Sequence, residues 1–266
     1  MTPIARAAWL LMMFAAPTAM AESVANCDQP VELCTFVLYS EPTGGYTVSG
    51  EARAKQRFSP FSTFKVASSA ITLQTGVVRD LTQPLNYSRD DYPPEPWWPS
   101  SWQRTPMTLP QAFQRSAVPV YRTLVSQMGS EAMTKWLQAF EYGNQDISSG
   151  LDDFWLSGSL QISALEQVAF LRRIANDEVG LDAEVTSRLL KVMQAEKADQ
   201  YTLYAKTGAG YLAVDETLGW YVGWVDNAEG RYYFALNVSG NTVADIQARR
   251  EALAKAYLRQ AGLITN

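Results

Sequence analysis

The chain of 266 residues contains no histidine. That removes every catalytic pair in which an imidazole takes the proton of a serine or cysteine, and with it the imidazole-held zinc and haem sites. Acid–base chemistry is left to Asp, Glu, Lys, Tyr and Cys. A serine nucleophile then needs another proton acceptor, and a lysine three residues on shares its helix face. Ser62-Thr63-Phe64-Lys65 has that spacing. Ser59-Pro60 precedes it and the helix-compatible run 66–73 follows it. Ser62 therefore falls in a first helical turn, near free backbone N–H groups and the positive end of the helix dipole. Taken alone, these four letters better fit a surface serine and lysine at an ordinary spacing.

Three further groups add weight. Lys206-Thr207-Gly208 follows an expected strand, 201–205, and puts a cation and a hydroxyl on a strand edge where glycine lets a ligand approach the backbone. Ser116-Ala117-Val118 follows an expected helix and offers a second hydroxyl, and Tyr142-Gly143-Asn144 is a turn able to present polar groups to the same cleft. Each alone fits a structural role. Their order and spacing together point to one site.

The elements that must position these residues are strands at both chain ends with helices between. Segments 35–39 and 46–49 flank Pro42, Gly44 and Gly45 and read as a hairpin. Segments 201–205, 218–225 and 232–238 are apolar, aromatic-rich strands separated by turns. Thr108 with Gln111, and Ser163 with Glu166, fit capping boxes ahead of helices. Further helices are expected near 120–140 and 182–197, and a last one over 244–261 that ends at Gly262. The Pro-rich stretch 92–102 must be a loop, its Trp97, Trp98 and Trp102 either tucked onto the body or lining a cleft. The expected fold class is α/β (α+β). An antiparallel sheet from both chain ends, 22–64 and 198–266, flanks an inserted helical lobe, 65–197, with the site between them.

A composition 47% hydrophobic and 18% charged describes one globular body. The net charge of −5 and a pI near 4.9 exclude nucleic acid and an anionic membrane as partners. Arg6, the apolar run 7–16 and Ala19-Met20-Ala21 read as a secretory leader, 1–21. The run is too short to span a bilayer, and Asn26 ahead of Cys27 does not suit a lipid anchor. Losing Arg6 leaves 21 basic against 27 acidic residues, a charge of −6. Export also favours pairing of Cys27 with Cys34 over two buried thiols. Closing so short a loop stabilises by roughly 2 kcal/mol on the chain-entropy model.

The segments FSPFSTFK, SAVPVY, YGN, FWLSGSLQIS, KTG and GWYVGWV together resemble a class D, oxacillinase-type, serine beta-lactamase of the penicillin-recognising fold. The resemblance runs from the first hairpin to AGLI near the C-terminus. Class A enzymes are less similar, since their SDN pattern is SAV here.

The resemblance implies that Ser62 opens the lactam ring to an acyl-enzyme and that Lys65 is its base. It also implies that Lys65, walled in by Phe64, Val118, Trp155 and Leu156, reacts with carbon dioxide to give N6-carboxylysine held by the Trp155 indole. Burial would supply the neutral amine this needs, because the ordinary lysine value is about 10.4. Backbone N–H groups of Ser62 and Ala209 would form the oxyanion hole, and Ser116 would pass a proton to the lactam nitrogen beside Lys206. Thr207, Gly208, Tyr142 and an arginine would bind the substrate. Arg250 shares an apolar stripe with Ile246, Leu253 and Tyr257 and fits the family better than Arg249, a snorkelling arginine being the alternative.

No metal and no cofactor beyond carbon dioxide is implied. The expected protein is a periplasmic monomer or homodimer with a small-molecule beta-lactam substrate, no nucleic acid and no membrane anchor. Arg122 stands where the family usually has Gln and reads as peripheral. Ala209 and Gly210 are smaller than in many relatives. A penicillin-sensing domain that is acylated but hydrolyses poorly, or a cell-wall transpeptidase or carboxypeptidase, would share these motifs. Sensors are usually tethered by several membrane helices, and transpeptidases are usually longer and anchored.

Overall fold

The structure, a computed structural model, describes residues 27 and 33–265; the expected leader lies outside the described residues. The expected N-terminal hairpin is β1 (Cys34–Ser40) and β2 (Gly45–Ser49). A short α1 (Glu51–Ala54) and a 3-10 turn (Phe61–Phe64) lead into α2 (Lys65–Gln74). A second 3-10 turn (Ser100–Gln103) precedes α3 (Leu109–Gln114) and α4 (Val118–Ala139). Then come α5 (Ala164–Ala175), α6 (Ala183–Met193) and four strands: β3 (Gln194–Lys197), β4 (Tyr201–Ala213), β5 (Glu216–Asn227) and β6 (Gly230–Gly240). The C-terminal helix α7 (Val243–Gln260) closes the fold ahead of Gly262, whose φ is +71°. The strands form one antiparallel sheet, ordered β2-β1-β6-β5-β4-β3. The two chain ends meet where β1 pairs with β6, from Cys34 opposite Val238 to Ser40 opposite Tyr232.

Both faces of the sheet are covered, which is why β5 and β6 run apolar instead of alternating. On one face α7 lays Ile246, Leu253 and Leu258 against Leu203, Val225 and Leu236. There the Tyr257 ring stacks on Phe36 at 4.5 Å, and its hydroxyl accepts the Cys27 N–H at 2.8 Å, with Cys27 disulfide-bonded to Cys34. On the other face Trp220, Val222, Trp224 and Tyr233 join the helices in one core. Helix α2 runs through that core with nine of its ten residues buried, between α4 and α6. Two of its polar residues are matched from α4: Ser69 shares a 2.7 Å hydrogen bond with the Tyr121 hydroxyl, and Thr72 donates to Met128 Sδ at 3.3 Å, whereas the buried Ser68 hydroxyl has no partner among the described residues.

Three expectations about the elements change. The helical lobe does not run unbroken over 65–197, because α5 packs on β6, β1 and β5 as part of the sheet layer. Residues 194–197 continue from α6 as the edge strand β3, paired with β4. Gln194, Glu196 and Lys197 bring no apolar group to a helix face, so the open edge of β4 takes their backbone bonds and tertiary pairing overrides helix propensity. Lys206, Thr207 and Gly208 lie inside β4, not after it.

Both capping boxes are present. Ser163 Oγ accepts the Glu166 N–H at 3.2 Å while the Glu166 carboxylate accepts the Ser163 N–H at 2.9 Å. Thr108 and Gln111 make the same reciprocal pair ahead of α3. Ser163→Ala is expected to cost about 1 kcal/mol, a fall in Tm of about 2–4 °C. Thermal unfolding followed by circular dichroism checks this, and an unchanged Tm would mean that the cap does not hold α5 in place.

Candidate active site

Ser62 sits in the 3-10 turn directly after Phe61, whose φ of +49° puts a bulky residue in the left-handed region at a cost of order 1 kcal/mol. The surroundings hold that turn. Thr63 donates its N–H and its hydroxyl to Pro60 O, at 3.1 and 2.7 Å, and accepts from Gln167 Nε2 at 2.8 Å. Trp220 of β5 donates its indole N–H to Ser59 O at 3.0 Å. The sheet, through Trp220, and α5, through Gln167, thus both grip the segment that presents the nucleophile.

Lys65 opens α2 and is fully buried. Its Nζ lies 3.0 Å from Ser62 Oγ and 5.0 Å from the centroid of the Tyr121 ring, and no carboxylate pairs with it among the described residues. Burial lowers its pKa to about 7, the Arg122 charge acting in the same direction. Near neutrality a large share of the amine is therefore unprotonated, at a distance from which it can accept the serine proton.

The second hydroxyl is held across the cleft. Ser116, with φ +54°, joins α3 to α4 and accepts from Lys206 Nζ at 2.6 Å. Lys206 also donates to Thr207 O at 3.0 Å and Thr207 Oγ1 at 3.3 Å. Burial, and after it the nearby cations Lys65 and Arg250, hold this ammonium well below the ordinary lysine value. The edge of β4 that carries it is open, since β3 reaches only Thr202–Tyr204.

Along that edge Lys206, Gly208 and Gly210 share one face, by the two-residue period of a strand. A Cβ on Gly208 would come within 2.9 Å of Pro60 O, and one on Gly210 within 2.1 Å of the Phe61 ring. The small residue at 210 is thus what lets the strained Phe61 pack beside the nucleophile.

A cleft of about 640 Å³ opens between the 3-10 turn, β4, α7 and the loop 92–102. Ser62, Ser116, Thr207, Gly208, Ala209 and Arg250 line it, with Lys65 and Lys206 buried beneath. Val118 and Leu156 also reach its surface, while Phe64 and Trp155 stand behind, their rings stacked 5.5 Å apart. Arg250 donates from Nη1 to Gly208 O at 2.7 Å, and its buried Nε has no acceptor among the described residues. Of the two candidate arginines, Arg250 lies in the cleft.

A chain with these motifs in this arrangement has known counterparts. Residues 34–259 match the family model described as the penicillin binding protein transpeptidase domain. The probable beta-lactamase YbxI of Bacillus subtilis is 38% identical over 232 residues, covering 87% of this chain and 82% of the relative. Beta-lactamase OXA-48 of Klebsiella pneumoniae is 36% identical over 86% of this chain and 83% of its own. The crystal structure of FUS-1 (OXA-85), a class D beta-lactamase from Fusobacterium nucleatum subsp. polymorphum, superposes with a TM-score of 0.81 at 30% identity, covering 88% of this chain and 94% of that one.

This chain belongs to the class D beta-lactamases. It is a serine hydrolase of the beta-lactam ring, with the mixed fold and antiparallel sheet of that family.

Two residues of this class D beta-lactamase stand elsewhere than the sequence indicates. Tyr142, placed with the substrate-binding residues, is fully buried with its ring against Phe64 and Phe170 and does not line the cleft. It backs the residue before Lys65. A turn motif does not reveal which way its tyrosine faces. Arg122, read as peripheral, lines the cleft and bears electrically on Lys65. Its position one helical turn after Val118 carried the signal.

The tryptophan loop does both of the things open to it. Trp98 tucks edge-on against Tyr87, whereas Trp97, 56% exposed, and the buried Trp102 line the cleft. Gln167 and Phe61 were not singled out in the sequence, because their importance lies in contacts with residues far away in the chain.

The buried lysine sets a stability test. The unfolded chain keeps this proton up to the ordinary value of 10.5, the folded protein only up to about 7. Between those values the unfolded chain binds more protons, so stability rises with pH across that window, and below it the cost is fully present. Lys65→Met keeps the length and removes the charge. Without bicarbonate it is expected to be more stable than the wild type at about pH 6, by roughly 2 kcal/mol, with the gain fading towards about pH 10. Calorimetry across pH checks this, and a variant less stable at the acid end would contradict an uncompensated buried amine.

Proposed function

We propose that this class D beta-lactamase hydrolyses penicillin-type substrates through an acyl-enzyme on Ser62, with Lys65, carboxylated on Nζ by carbon dioxide, as general base. We also propose that it acts in the periplasm after loss of the leader 1–21, where it confers resistance. The observation that carries the reading is a fully buried lysine with no carboxylate beside it among the described residues, its Nζ 3.0 Å from Ser62 Oγ. A neutral amine is the form that adds carbon dioxide. The pocket also suits the anionic product: the buried Trp155 Nε1 has no acceptor among the described residues, and the charge of Arg122 bears on Lys65. Once formed, that group supplies an oxygen base to both halves of the reaction.

The chain's own residues do the rest. Ser62 Oγ attacks the lactam carbonyl, and the carbonyl oxygen moves towards the N–H groups of Ser62 and Ala209, a donor of this kind contributing roughly 3 kcal/mol. The C–N bond breaks, and the ring nitrogen takes a proton through Ser116, which Lys206 holds at 2.6 Å. The substrate carboxylate binds Thr207 and the Arg250 guanidinium, whose unpartnered Nε supports this assignment. Water then releases the product from Ser62. No described helix is long and apolar enough to cross a membrane.

Steady-state hydrolysis of nitrocefin and of a penicillin, with and without bicarbonate, tests the reading. Turnover that rises with bicarbonate is expected. A one-to-one acyl adduct that turns over no further, indifferent to bicarbonate, would instead favour a sensor. Lys65→Ala is expected to fold and to lose deacylation by about a thousandfold, read as a trapped adduct in mass spectrometry. Arg250→Ala is expected to raise KM roughly 10- to 100-fold, the worth of hydrogen bonds to a charged group, with a smaller change in kcat. An unaltered KM would remove Arg250 from carboxylate binding.

A further inference from the structure

Arg122 stands where three segments remote in sequence meet. From α4 its Nε donates to Asp152 O at 2.9 Å, in the loop that goes on to Trp155 and Leu156. Its Nη1 lies 3.7 Å from Glu95 Oε1, and its Cζ lies 5.8 Å from the centroid of the Tyr92 ring, both in the tryptophan loop. The two loops are also tied to each other, since the Tyr92 hydroxyl donates to Asp152 Oδ1 at 2.8 Å. Glu95 is fixed on its other oxygen by the Trp97 indole N–H at 2.6 Å. Every link of this network passes through or beside one guanidinium, which also lines the cleft.

We propose that Arg122 is a positioning residue for the Lys65 base, a latch that fastens loops 92–97 and 152–156 to α4 and so holds the Trp155 side of the lysine pocket closed. The inference rests on the reading of Lys65 as base. The residue type fits the task. A guanidinium offers a planar fork that can serve a carbonyl on one edge and a carboxylate on another while stacking on an aromatic face. A glutamine at this position could meet one of these partners, and an ammonium would meet them only as a point charge.

The charge of Arg122 adds a second effect, because it acts on Lys65 in the same direction as burial. Among the described residues, the other polar or titratable groups brought to Lys65 are the Ser62 hydroxyl in the 3-10 turn, the Tyr121 ring on α4 and the Lys206 amine on β4. None of these is an anion at neutral pH. Removing the Arg122 charge therefore raises the pKa of Lys65 and leaves less neutral amine at a given pH.

Two variants separate the latch from the charge. In hydrogen exchange of the full chain, both Arg122→Gln and Arg122→Lys are expected to speed exchange roughly tenfold in 92–97 and 152–156, while α2 and the sheet stay protected. In the pH profile of kcat/KM, Arg122→Gln is expected to move the acid limb up by about half a unit, and Arg122→Lys to leave it at the wild-type position. Wild-type exchange in both loops of Arg122→Gln overturns the latch. An acid limb that coincides with the wild type in Arg122→Gln overturns the link to Lys65 and leaves Arg122 a merely structural residue. Exchange is read on the unreacted protein, so failure of the latch is distinguishable from failure of the base assignment, which would appear as turnover indifferent to Lys65→Ala.

Discussion

Keeping an amine in a dry pocket costs free energy whenever the amine is protonated, and the packing around α2 maintains that situation at Lys65, which has no carboxylate beside it among the described residues. Helix α2 runs through the core between α4 and α6 and carries Lys65 at its first, fully buried position. Phe64, the residue before the lysine, stacks on Trp155, and Tyr142 backs Phe64 in turn. The unfavourable solvation that results places the proton affinity of Lys65 near neutrality, in a chain that contains no imidazole.

The same constraint explains the strain next to it. Phe61 and Ser116 both take positive φ, and both lie at hydroxyls that have to point into the cleft. Neither would hold such a backbone alone. Thr63, Gln167 and Trp220 fix the first, and Lys206 fixes the second through its hydrogen bond to Ser116. The glycines of β4 belong to this account, since a side chain at 208 or 210 would push the turn off the strand. The open edge of β4 and the 3-10 turn that carries Ser62 therefore share one tightly packed interface, and neither could change without the other.

Charge is divided between the two ends of the site. Lys206 and Arg250 stand at the β4 end, while Arg122, between Glu95 and Asp152, stands in the far wall. A protein of net charge −5 thus carries a small basic cleft that contrasts with its acidic surface. Long-range attraction of an anion is weak in such a molecule, so these basic groups act over short distances inside the cleft.

Much of this was legible in the sequence. The missing histidines directed attention to Ser62 and Lys65, and the hairpin, both capping boxes, the disulfide pair and the strands from both chain ends follow from local patterns that need only neighbours in the chain. What the tertiary structure decided are relations between distant residues. That Tyr142 faces the core, that Trp97 lines the cleft while Trp98 does not, and that Arg122 bridges two loops cannot be read from spacing, because a loop's path depends on what it packs against. The turn of 194–197 from helix to edge strand has the same origin: an open strand edge offers backbone hydrogen bonds that local propensity does not anticipate. The sequence by itself determined which groups could react, since chemistry belongs to residue types. Only the fold decided how far each group's proton affinity moved, since burial and neighbouring charge are properties of a place in three dimensions.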